Sequence, residues 1–76
     1  MDAYEIDLHG LRHEDVRRFL IKEIEYLRGT GTIVNVVTGH STRMKKIAGE
    51  VLDEYKLSYQ EGDWLGRNQG MLRTVI

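Results

Sequence analysis

An α/β sandwich of two layers, one helical and one a mixed four-stranded sheet, follows from three observations on the 76-residue chain. Two strand-like runs each lead into a segment whose apolar residues recur at helical spacing. A third alternating run and a final one are separated by a turn-rich stretch. Proline is absent throughout, so nothing marks a linker and one domain, residues 1–76, accounts for the chain.

Tyr4 to Leu8 alternates like a half-buried strand, with Tyr4, Ile6 and Leu8 facing one way and Glu5, Asp7 and His9 the other. Gly10 ends it. Val16, Phe19, Leu20, Ile24 and Leu27 then fall at helical spacing, with Glu14 and Asp15 at the positive end of the dipole and Arg28-Gly29 as the stop, which predicts a helix over His13 to Arg28. Ile33 to Val37 is β-branched and nearly continuous, as in a strand covered on at least part of both faces. Ser41 or Thr42 can cap a second helix, Thr42 to Tyr55, whose stripe is Met44, Ile47, Ala48, Val51, Leu52 and Tyr55. Leu57 to Glu61 alternates again. Gly62 to Gln69 reads as turn, and Gly70 opens a last strand, Met71 to Ile76.

The order is therefore βαβαββ. Right-handed crossovers that keep both helices on one face make the sheet grow from strand one to two to three, and the closing hairpin slips strand four between two and three. The predicted sheet order is 1-2-4-3. The core should hold Val16, Phe19, Leu20, Leu27, Val34, Val36, Ile47, Val51 and Leu52, and the helix-free face should gather Glu5, Asp7, His9, Asn35, Gln60 and Arg73.

Eleven Lys and Arg stand against twelve Asp and Glu, a formal charge of −1, so any anion site must be local rather than a basic surface. Cysteine is absent, which removes disulfides and thiolate metal sites. No apolar run approaches the ~20 residues that span a bilayer, so neither a signal peptide nor a membrane helix is expected and a cytoplasmic location is the default. Without coiled-coil heptads, a monomer is expected.

Polar chemistry collects at two strand ends, Asp7-Leu8-His9-Gly10 and Thr38-Gly39-His40-Ser41. These motifs, in this order and with the closing Asn68-Gln69-Gly70, resemble the small MutS-related (Smr) domain family, whose signatures are LDLHG, TGxG and a terminal N-x-G. The resemblance covers essentially the whole chain. It implies a fold similar to the C-terminal domain of a bacterial translation initiation factor, nucleic-acid binding, and in many members endonuclease cleavage of DNA or RNA. The Asp and His of LDLHG, the residues most often tied to cleavage, are here Asp7 and His9. The chain departs from the family at one point: Thr38-Gly39 passes straight to His40-Ser41, without the second glycine and short insert of many members.

The residues support such chemistry on their own terms. Phosphodiester cleavage needs a base or a metal to activate a nucleophile and positive groups to take up charge on the phosphate. Parallel neighbouring strands would bring Asp7 and His9 beside a helix start able to hold an anion, with Gly10, Thr38, Gly39, His40, Ser41, Arg43 and Lys46 as the phosphate-site candidates and Lys45 nearby. Asp7 would orient His9, or both would hold a divalent ion such as Mg or Mn, although no HxH or DxD cluster completes a metal site. Each residue also has a plainer role. Asp7 and His9 can be solvated strand-end residues, the glycines turn residues, Ser41 a helix cap, and Arg43, Lys45 and Lys46 a solvated helix start. His13 reads as a surface residue. Trp64 can pack over the sheet edge or stack on an unpaired base. The sequence thus points to a nucleic-acid-binding domain with endonuclease activity, with a non-catalytic nucleic-acid-binding module and a protein-interaction domain as alternatives.

Overall fold

Among the residues described by the computed structural model, 3–62 and 70–76, the strands are β1 (Tyr4–Asp7), β2 (Ile33–Val37), β3 (Tyr59–Glu61) and β4 (Met71–Val75), and the helices α1 (His13–Leu27) and α2 (Thr42–Glu54). Trp64, Asn68 and Gln69 lie outside the described residues. The sheet order is β1-β2-β4-β3, with β1 and β2 parallel and both pairs involving β4 antiparallel, as the crossover argument predicts.

One core forms between the layers. Alternation turns Ile6 and Leu8, Val34 and Val36, and Leu72 toward the helices, each no more than 3% exposed, where they meet Val16, Leu20, Ile24 and Leu27 of α1 and Met44, Ala48, Val51 and Leu52 of α2. Phe19 is a correction to the expected core: it is 37% exposed. Val16, Leu20, Ile24 and Leu27 centre the buried stripe, and one residue back from Leu20 is a rotation of ~100°, which carries Phe19 to the flank. Ile47 is half-buried and packs on the margin of the core.

The strand predicted from Leu57 begins only at Tyr59. Lys56 takes a left-handed backbone, φ 57°, so that its N–H donates to the Asp53 carbonyl at 2.9 Å and the Leu57 N–H to the Leu52 carbonyl at 3.0 Å. That pairing closes α2 in a Schellman turn and keeps Leu57 against the core instead of in the sheet. Gly49, in the middle of α2, is explained from the same side of the fold. A Cβ there would sit 2.6 Å from the Tyr59 hydroxyl oxygen, so its absence leaves room for the Tyr59 ring against the helix. Outside the core, α1 and α2 are joined by Arg17, whose guanidinium donates to both carboxylate oxygens of Glu54, and by the Tyr55 hydroxyl, which donates to Glu25 at 2.6 Å. No helix among the described residues is long and apolar enough to cross a membrane.

The opposite sheet face has no helix. Register lines Glu5, Asn35, Arg73 and Gln60 in one row across all four strands, and Asp7 stands in the next row beside Val37 and Met71. This is the polar face that the alternation predicts.

Candidate functional site

The β1 strand ends at Asp7, but its pairing with β2 continues by one bond, from the Leu8 N–H to the Val37 carbonyl at 2.8 Å. Leu8 is fully buried, which anchors the chain while Asp7 and His9 on either side remain exposed. Between those two, Asp7 Oδ1 accepts the His9 backbone N–H at 3.1 Å and meets His9 Nδ1 at 2.5 Å. The hydrogen bond between the side chains, reinforced by their charges, lowers the Asp7 pKa and raises that of His9. With Nδ1 committed to the carboxylate, Nε2 is the ring nitrogen left for a proton transfer.

Parallel pairing brings the second motif alongside. Gly39 has φ +67°, a conformation that favours glycine, and a Cβ built on it would lie 3.7 Å from the His9 Cβ, so the two loops are in lateral contact. Gly10 and His40 are exposed on this rim. Ser41 caps α2, its Oγ accepting the Met44 N–H at 3.1 Å. The N–H groups of Thr42 and Arg43, in the first turn of that helix, meet no acceptor among the described residues.

Thr38 differs from its expected role. It is 2% exposed, and its backbone N–H and that of Gly39 donate to the Gly70 carbonyl at 2.9 and 3.0 Å. The Thr38 hydroxyl is directed at the same carbonyl at 3.3 Å and at the Gly39 carbonyl at 2.9 Å. These donors hold the end of β2 to the start of β4 and are not available to a phosphate. Gly70 leads into β4 and closes the Asn68-Gln69-Gly70 motif, and nothing local in the sequence signals an acceptor for residues over thirty positions away.

The cations near α2 separate into two kinds. Lys45 is spent on Glu61, Nζ to Oε2 2.5 Å, with its side chain 20% exposed. Arg43 and Lys46 are exposed, lack a carboxylate partner among the described residues, and line a shallow groove with Thr42, Ile47 and Glu50. No described hydrogen bond or ion pair joins them to the Asp7–His9 pair. His13 is exposed at the first position of α1.

Among the described residues no group of three His, Cys, Asp or Glu is gathered for a metal, and the bond between Oδ1 and Nδ1 leaves His9 Nε2 and Asp7 Oδ2 as the outward donors of the pair. The arrangement can act as an oriented imidazole beside a helix start with free N–H groups, a base or acid next to an anion seat. No protein family, curated protein or solved structure matches this chain.

Proposed function

We propose that this chain is an Smr-like nucleic-acid-binding domain and an endonuclease that cleaves a DNA or RNA phosphodiester at the junction of β1 with the start of α2. The observation that carries the reading is the Asp7–His9 pair, an exposed carboxylate bonded to an exposed imidazole, in lateral contact with Gly39 three residues before the first turn of α2. A phosphate at the Thr42 and Arg43 N–H groups would take up their positive end, with Arg43 and Lys46 adding charge. His9 Nε2 would remove the proton of the attacking hydroxyl or water as its oxygen bonds to phosphorus and the P–O bond to the leaving oxygen breaks, that oxygen taking a proton from solvent, and Asp7 would hold the ring in the required tautomer and stabilise it once protonated. The Asp7-His9-Gly10 and Thr38-Gly39 motifs support the same reading through their likeness to the family signatures.

One observation favours a non-catalytic binding module as the second reading. The Gly70 carbonyl takes the N–H groups of Thr38 and Gly39, leaving fewer donors to stabilise charge developing on a phosphate. The deciding experiment incubates the purified protein with end-labelled single- and double-stranded DNA and RNA, with Mg, with Mn and with EDTA. Cleavage products in EDTA that vanish in His9→Ala support the endonuclease. Binding without products from any substrate selects the second reading, and absence of both binding and cleavage overturns the proposal.

A further inference from the structure

Five cations of this chain are each neutralised by a neighbouring carboxylate: Arg12 by Glu14, Arg17 by Glu54, Arg18 by Asp15, Arg28 by Glu25 and Lys45 by Glu61. Lys22, Arg43, Lys46, Lys56 and Arg73 carry no such partner among the described residues. Lys22 stands apart on α1. The other four form two pairs, Arg43 with Lys46 at the start of α2 and Lys56 with Arg73 in a cleft at the β3–β4 edge.

That second cleft is lined by Lys56, Ser58, Gln60, Arg73 and neighbouring apolar groups, and no carboxylate is among its walls; Asp53 borders an adjoining groove behind Lys56. Arg73 belongs to the helix-free face, in the row with Glu5 and Asn35, one row from Asp7 and two strands across. Strand spacings of ~4.8 Å and a rise of ~3.3 Å per residue put the Asp7 and Arg73 backbones about 12 Å apart, a few nucleotides of extended chain. Between them lies Asn35, half-buried on β2, whose Oδ1 is itself buried and accepts no hydrogen bond among the described residues.

We propose that the Lys56–Arg73 cleft is a second phosphate seat and that a single strand of nucleic acid runs from the α2 start, past Asp7 and His9, across the open sheet face to this cleft. The proposal rests on the nucleic-acid reading above and adds the path, the polarity-independent backbone contact and the preference for a single strand. A helix-free sheet face lined by polar residues meets base edges only where bases are unpaired. The two unneutralised cations sit where the strand would leave the sheet.

The test measures binding of fluorescein-labelled single-stranded oligonucleotides of increasing length, by anisotropy over a salt series, for the wild-type chain, Lys56→Ala, Arg73→Ala and Arg73→Lys, with circular dichroism confirming the fold of each. The expected result is a several-fold loss of affinity in both alanine variants that grows with strand length. The slope of log affinity against log salt should shrink by about 0.7 for each lost contact on a single strand, and Arg73→Lys should keep most of it. Wild-type binding with unchanged affinities and slopes in the alanine variants overturns the path while leaving the nucleic-acid reading intact. Loss that is equal for all lengths and is matched by weakened competition from inorganic phosphate makes the cleft a small-anion site and also overturns it. If the wild-type chain binds no oligonucleotide of any length, both readings fall together.

Discussion

Asp7 Oδ1 holds His9 twice, by its backbone N–H at 3.1 Å and by its ring Nδ1 at 2.5 Å, and so fixes both the turn after β1 and the orientation of the imidazole. Asp7 and His9 thereby make one unit, held in place by the buried Leu8 between them. Their exposure sets the scale of what that unit can contribute to stability. A solvated pair is screened, so its effect is read in titration more clearly than in unfolding.

The first prediction is that titration. His9 should titrate above its ordinary value of 6.5 and Asp7 below its ordinary 3.8, each because of the bond to the other. Asp7→Asn should return His9 toward 6.5, read from its ring resonances by NMR. The linkage has two edges. His9, raised on folding, contributes fully below 6.5 and loses its contribution as the pH climbs through the raised value; Asp7, lowered on folding, contributes above 3.8 and fades as the pH drops through the lowered value. The pair therefore supports the fold most between those two ordinary values. An Asp7→Asn variant in which His9 titrates as in the wild type would show that the bond does not form in solution.

Cleavage, the second prediction, should depend on both residues without the fold depending on either. His9→Ala and Asp7→Asn should reduce cleavage by about 10²-fold or more, the scale of a lost general base or its orienting partner, with the melting temperature within a few degrees of wild type. The alkaline rise of the cleavage rate should follow the His9 titration and move to lower pH in any residual activity of Asp7→Asn. Full activity in both variants would remove the pair from the mechanism.

Third, neighbouring residues on α1 should respond very unequally to truncation. Leu20→Ala opens a cavity in the centre of the core and should cost roughly 2–5 kcal/mol in urea unfolding, a large part of what a small domain has. Phe19→Ala, at a side chain already 37% exposed, should cost much less. Equal losses would mean that Phe19 is packed in solution as the sequence pattern first suggested.

Fourth, Thr38→Val keeps the shape and removes the hydroxyl directed at the Gly70 carbonyl, which still accepts the Thr38 and Gly39 N–H groups. The expected loss is about 0.5–1.5 kcal/mol of stability, with no change in the salt slope of nucleic-acid binding. Arg43→Ala should do the reverse, lowering affinity and slope about equally for different sequences while leaving stability within about 0.5 kcal/mol. A Thr38→Val variant that weakens binding at unchanged stability would restore Thr38 to the phosphate site.

The sequence by itself determined the element order, the sheet order and the face of each strand that meets the helices, because those follow from residue periods of two and 3.6 and from crossover handedness, all written in near neighbours along the chain. The expectation that Asp7 and His9 share one face of a strand stops short, because β1 ends at Asp7 and His9 lies in the turn beyond it, where the Asp7 carboxylate holds it. Only the tertiary structure decided which polar groups are free. Thr38 and Gly39 lose their donors to Gly70, and Lys45 is taken by Glu61, while Lys56 and Arg73 come to line one cleft. Those outcomes depend on which residues the β2–β4 and β3–β4 registers set side by side, and a hydrogen bond or ion pair between distant positions leaves no periodic trace in the chain. The exposure of Phe19 has the same origin: a helix fixes the angle between its residues, but where the neighbouring sheet and α2 stop covering it is a property of the assembled layers.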